Sequence, residues 1–230
     1  MTPAFHGIKW VFLDWGGTLK DEFSIYEGIA AACERHLSLH GIRIDQQRLY
    51  DRLIELEKSE EGIFLPAALM EIGVPVQRLS GVMATLAVEL QAQPFYEGVE
   101  DVLETLRQSY RLGVISNHRA GLKEILGREG VLSYFEVVVG SADTGLRKPD
   151  PAIFRYALEL AGCEPHEAVM VGDRLDRDIS GANAADMWTV RIRQGIYADQ
   201  VPQSPVETPN AEIDEIRQLP ELRLGEVSPA

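Results

Sequence analysis

From Pro94 onward, short apolar runs alternate with amphipathic segments, and this order constrains the fold more than any other feature of the chain. The runs Leu112–Ile115, Phe135–Val139, Ala168–Val171 and Thr189–Ile192 are too short for buried helices and read as strands. Helical patterns lie between and around them, at about Glu97–Gln108, Ala120–Gly130, Pro151–Ala161 and Ile179–Ala185. Such alternation predicts an α/β fold: a doubly wound, mainly parallel sheet with helices on both faces. The N-terminal run Trp10-Val11-Phe12-Leu13 has the same buried character and should join the sheet. The tail from Asp199 is rich in Pro and Glu, and the weak pattern at Ile213–Leu222 reads as a last surface element. No internal repeat is visible.

The segment Lys20–Gln93 has a different texture. Ser24 and Glu27 have capping-box spacing before an Ala-rich helix running to about His40, where Gly41 stops it. Asp45 is placed to cap a second helix carrying Leu49, Leu53 and Leu56. Gly62 and Pro66 punctuate, Pro66 opens a short helix ending near Gly73, and Val82, Leu86 and Leu90 mark a helix from Pro75. No convincing strand interrupts this block. The expected organisation is a core made of residues 1–19 and 95–230, with an all-helical domain, residues 20–94, inserted between them.

Composition sets the remaining bounds. The chain has 230 residues and a formal charge of -14, which argues against binding nucleic acid or an anionic membrane, because phosphates recruit Lys and Arg. Cys33 and Cys163 are the only cysteines and lack metal-ligand spacing, which suggests a reducing compartment. The N-terminal segment shows no apolar leader with a basic flank, and Val11–Leu13 is far too short to span a bilayer. A cytoplasmic protein, monomeric or homodimeric, is expected.

In a parallel sheet the C-terminal strand ends share one edge, where α/β proteins hold ligands. Here the first strand ends in Asp14, the second in Ser116-Asn117 and the fourth in Gly172-Asp173, while Lys148 follows the third across the loop 141–149. A carboxylate, a hydroxyl, a lysine and further acids would therefore converge on one pocket.

In that order these motifs resemble the haloacid dehalogenase superfamily. The matching stretches are Phe12-Leu13-Asp14-x-x-Gly17-Thr18-Leu19, Val114-Ile115-Ser116-Asn117, Lys148-Pro149-Asp150-Pro151, and Val171-Gly172-Asp173 continuing through Asp178-Ile179. The resemblance covers about residues 8–195 and implies a Rossmann-like core with a helical cap inserted after the first motif, hinged near residues 19–22 and 92–96. It implies that Asp14 attacks phosphorus and carries an aspartyl-phosphate. It implies magnesium held by Asp14, the main-chain carbonyl of Gly16, and Asp173, with Asp178 ligating directly or through water. Ser116 and Lys148 would bind the transferring phosphoryl oxygens, with Asn117 beside them. The amides of the turn through Thr18 would add donors, and Gly17 would let the backbone come close.

Gly16 departs from the family's phosphatases, which carry a second aspartate two residues after the nucleophile to protonate the leaving oxygen. Such acid-base help is worth about a hundred- to ten-thousandfold in rate. The leading reading is a magnesium-dependent hydrolase of a small phosphorylated metabolite, with Asp21, Glu22, a cap residue or water replacing that aspartate. An alternative follows from Asp14-Trp15-Gly16-Gly17-Thr18, which is similar to the first motif of phosphonoacetaldehyde hydrolase. That enzyme cleaves carbon–phosphorus bonds through a cap lysine; Lys58 is the candidate here, and Lys20 sits beside the motif. A further alternative is a catalytically weak module that binds a phosphorylated ligand or a partner.

Overall fold

The computed structural model describes residues 5–59, 65–89, 94–222 and 224. Gly62, Leu90, residues 92 and 93 of the expected hinge, and the last residues of the chain lie outside them. The chain forms two compact units, one comprising residues up to Lys20 and from Phe95 onward, the other Asp21–Pro94. No helix among the described residues is long and apolar enough to cross a membrane.

The larger unit is built on β1 (Trp10–Leu13), β2 (Arg111–Ser116), β3 (Val137–Gly140), β4 (Ala168–Gly172), β5 (Trp188–Ile192) and β6 (Ala211–Ile213). They form one six-stranded sheet in the order β3-β2-β1-β4-β5-β6, and every pairing is parallel. Leu13 sits opposite Val114 on one side and Val171 on the other, which aligns the ends of β1, β2 and β4. The direction of strand addition reverses at β1, creating the crevice in which such sheets place ligands.

Alternation along each strand sorts the apolar residues onto two faces. Val11 and Leu13 face a cluster with Val102, Leu103, Leu106, Leu122 and Leu126. Trp10 and Phe12 face another with Ile153, Phe154, Ala157, Leu158 and Ala182. Both faces are covered, as the near-continuous apolar strands require.

The helical unit contains α1 (Glu22–Ser38), α2 (Gln46–Lys58), α3 (Leu65–Glu71) and α4 (Val76–Glu89). Asp45 caps α2 by accepting from the Arg48 N–H at 3.1 Å. The cap of α1 is Asp21, not Ser24: its carboxylate accepts from the Ser24 N–H at 3.3 Å and the Ser24 hydroxyl at 2.5 Å. An earlier carboxylate can hold the free N–H groups of the first turn as well as a serine can. The larger unit resumes with α5 (Val99–Leu106), α6 (Leu122–Arg128), α7 (Ser141–Thr144), α8 (Pro151–Ala161) and α9 (Ser180–Asn183).

The tail adds a strand. Ala211–Ile213 form the edge strand β6, and along the expected surface element Ile213–Leu222 the residues Ile213, Ile216 and Leu219 are buried in the core while Asp214, Arg217 and Glu221 stay exposed. A three-residue strand offers too little alternation to be recognised by pattern.

Candidate active site

Asp14 stands one residue past β1, where its N–H still bonds the Val171 carbonyl at 3.0 Å. Its Oδ1 accepts the N–H of Trp15 at 2.7 Å. The chain then turns back on itself: Leu19 and Lys20 both donate to the Trp15 carbonyl at 3.0 Å, and Gly17 donates to the Lys20 carbonyl at 3.1 Å. Gly17 has φ +68°, and a Cβ there would lie 2.4 Å from Asp173 Oδ2. Glycine is therefore required on both counts, by backbone conformation and by space. Thr18, fully buried, donates its hydroxyl to Asp173 Oδ1 at 3.4 Å, so the turn meets the fourth strand's acid directly.

Lys148 arrives from the loop after β3 and places its ammonium between two carboxylates, 2.7 Å from Asp14 Oδ1 and 2.5 Å from Asp178 Oδ1. Burial works against its charge, but the adjacent Asp14 and Asp178 outweigh it and hold the pKa above the usual lysine value. Asp178 is fully buried, and that burial pushes its carboxyl up to about 6 against the opposing pull of Lys148. Its other oxygen accepts the Arg174 N–H at 3.0 Å. A Cβ on Gly172 would lie 2.4 Å from Asp178 Cγ, so the bare backbone at the end of β4 makes room for that carboxyl.

Asp14, Asp173 and Asp178 are all buried, and each offers an oxygen within 4.8 Å of the others. Among the described residues, Asp14, Asp173, Asp178 and Asp176 face the cations of Lys148 and Arg174, an excess of negative charge that is costly unless a further cation joins them. All-oxygen donors suit a hard divalent ion such as magnesium. Gly16 is half-buried and lies outside the left-handed region occupied by Gly17.

The structure brings Asp14, Gly17, Thr18, Lys148, Asp173 and Asp178 together. Ser116 is buried at the end of β2, in register with Gly140. Asn117, expected beside the substrate, pairs with the Lys148 main chain: its Nδ2 donates to the Lys148 carbonyl at 2.9 Å and its Oδ1 accepts the Lys148 N–H at 2.8 Å. His118 is half-buried, with its N–H on the Ser141 hydroxyl at 3.0 Å, and Arg119 is exposed. In the helical unit Lys58 is exposed near the end of α2. Lys20 is buried, its ammonium 2.8 Å from Glu129 and 3.4 Å from the centre of the Phe95 ring.

Sequence reasoning missed the groups that hold these motifs in place. Asp176 binds the Arg174 guanidinium through both oxygens, at 3.2 and 2.6 Å. Gln194 donates to the Thr18 carbonyl at 2.9 Å from far along the chain. Neither glutamine nor arginine there carries a local signature; only the spacing of Arg174 and Asp176 within one tight loop hinted at a pair.

A family model for haloacid dehalogenase-like hydrolases matches residues 64–192. The glyceraldehyde 3-phosphate phosphatase of Methanopyrus kandleri is 35% identical over 222 residues, covering 92% of this chain and 95% of that protein. The phosphoserine phosphatase of Thermus thermophilus is 31% identical over 154 residues, covering 66% of this chain and 60% of that one. A crystal structure of a haloacid dehalogenase-superfamily hydrolase from Geobacter sulfurreducens superposes with a TM-score of 0.72 at 23% identity, covering 96% of this chain and 98% of the other. A fold with its strand ends converging on one acidic site, a family match over more than half the chain and a relative aligned nearly end to end lead to one assignment: the chain belongs to the haloacid dehalogenase-like hydrolase family.

Proposed function

We propose that the chain is a magnesium-dependent phosphohydrolase of small phosphorylated metabolites that works through an aspartyl-phosphate on Asp14. One observation carries the reading: Asp14, Asp173 and Asp178 meet at the sheet edge with Lys148 bonded to two of them. The names of the relatives add that three-carbon monophosphates are the first class to test.

Asp14, Asp173, Asp178 and the Gly16 carbonyl would hold magnesium, which when bound supplies positive charge against the phosphoryl oxygens. Asp14 Oδ1 accepts from Trp15 and Lys148, which fixes the orientation of the carboxylate. Attack forms the oxygen–phosphorus bond to Asp14 as the bond to the leaving oxygen breaks. Lys148 stabilises the negative charge and fixes the carboxylate for in-line approach. Water then attacks the same phosphorus, freeing phosphate and restoring the Asp14 carboxylate. The leaving oxygen takes its proton from water or from the substrate, because Gly16 has none to give and the Asp21 carboxylate caps α1. The helical unit, inserted after the turn that follows Asp14, is the proposed source of substrate selectivity.

The test is phosphate release from glyceraldehyde 3-phosphate, phosphoserine, an acyl phosphate and phosphonoacetaldehyde, with and without magnesium. Release that requires magnesium and disappears in Asp14→Asn is expected. Release surviving Asp14→Asn, or no release from any of them, would overturn the proposal.

A further inference from the structure

The fourth motif is held by a segment that none of the motifs includes. Tyr197 and Gln200 lie in the loop between β5 and β6, and both reach residues 174–176. The Tyr197 hydroxyl accepts from Arg174 Nη1 at 2.6 Å, and the guanidinium carbon lies 4.0 Å from the centre of the same ring. Gln200 bonds twice: its Oε1 accepts the Leu175 N–H at 2.8 Å, and its Nε2 donates to Asp176 Oδ1 at 2.6 Å. Asp176 in turn clamps the Arg174 side chain, and the Arg174 N–H holds Asp178. Arg174 is itself buried, with 6% of its surface exposed.

The loop is fixed from behind as well. Arg191, buried at the end of β5, donates through Nη2 to the carbonyls of Tyr197 and Ala198, each at 3.1 Å. At the near end of the loop, Gln194 holds the Thr18 carbonyl while accepting the Ile216 N–H at 3.3 Å. The segment 194–200 thus bonds to the turn after Asp14 at one end and to the loop bearing Asp173 and Asp178 at the other.

We infer that this segment is a brace for the metal-binding acids, with Tyr197 and Gln200 as positioning residues that set the spacing of Asp173 and Asp178 for a divalent cation. The inference rests on the proposed magnesium-dependent reaction. Groups that orient metal ligands without touching the metal change affinity by about 10- to 100-fold when removed. Gln200→Leu removes both of its bonds at similar volume; Tyr197→Phe removes one oxygen and keeps the ring over the guanidinium.

The experiment is calorimetric titration of magnesium chloride into wild type, Gln200→Leu and Tyr197→Phe, alongside steady-state kinetics at varied magnesium and a metal-free thermal melt. Magnesium affinity should fall about tenfold in Gln200→Leu and less in Tyr197→Phe. At saturating magnesium, substrate KM should stay that of wild type. Tyr197→Phe keeps the test decisive if Gln200→Leu lacks a cooperative melt. Wild type that binds magnesium and needs it, with variants of unchanged affinity, would overturn the brace alone. Wild type that neither binds nor needs magnesium would overturn the proposed reaction and the brace with it.

Discussion

The Asn117 side chain and the Lys148 main chain are paired head to tail, amide nitrogen to carbonyl at 2.9 Å and N–H to amide oxygen at 2.8 Å. The end of β2 thereby holds the base of the lysine that reaches Asp14. Replacing Asn117 with Leu leaves both main-chain groups of Lys148 without these partners, at about 1–3 kcal/mol for each group left unsatisfied. Asn117→Leu should lower stability in urea melts and reduce kcat more than KM. Unchanged kcat in a folded variant would contradict the positioning role.

Lys148→Met should be more severe. It leaves the buried Asp14 and Asp178 without their shared cation, and breaking a buried pair costs about 3–5 kcal/mol. Magnesium should restore part of that loss, so its addition should raise the melting temperature of the variant more than that of wild type. Equal shifts would argue against a cation site among these carboxylates.

Gly16 and Gly17 should respond in opposite ways. Gly16 has no left-handed backbone, so its conformation does not exclude aspartate. If the acid-base step is the missing component, Gly16→Asp should raise kcat by about a hundredfold or more. A fall in kcat would mean that the site needs the open space.

Gly17→Ala combines an unfavourable φ of +68° with a Cβ 2.4 Å from Asp173 Oδ2. Left-handed backbone alone costs about 1–2 kcal/mol for a residue with a side chain. Displacement of Asp173 should abolish magnesium binding by calorimetry. Retained affinity would show that Asp173 is not a ligand.

Lys20 gives a pH-dependent prediction away from the acids. Burial lowers its pKa below 10.5, and the bond and charge of Glu129 only partly oppose this. Between that lowered value and 10.5 the folded chain binds fewer protons than the unfolded one, so this group's contribution to stability rises with pH. The urea stability of wild type relative to Lys20→Met should therefore climb as pH approaches 10.5. A difference that stays flat or falls would contradict the burial argument.

The core strands were legible because four-residue apolar runs buried on both faces have few other ways to fold, and Asp14, Ser116 and Asp173 were legible as polar residues where such runs stop. What escaped notice depended on distant partners. Gln194 meets Thr18 from the far side of the sequence, Glu129 meets Lys20 across an intervening unit, and Tyr197 meets Arg174 from the next loop. No periodicity encodes such meetings. β6 was lost for a different reason: its strand character comes from pairing with Val190–Ile192 rather than from its own three residues. At α1 two polar residues could each have capped, and the local sequence did not rank them.

The chain leaves the larger unit at Lys20 and re-enters it at Phe95, and these two residues form an antiparallel bridge, reinforced by the Tyr96 N–H on the Leu19 carbonyl at 3.0 Å. Departure and return are side by side, as at the two ends of a hairpin. Whatever is threaded between them adds little closure entropy, since that cost grows only with the logarithm of length. The helical unit is therefore a replaceable cartridge: a shorter, longer or differently lined one could be exchanged at this doorway while the strands and their acids kept their places. If the inserted unit selects the substrate, as proposed, its exchange would change that choice and leave the acids where they are.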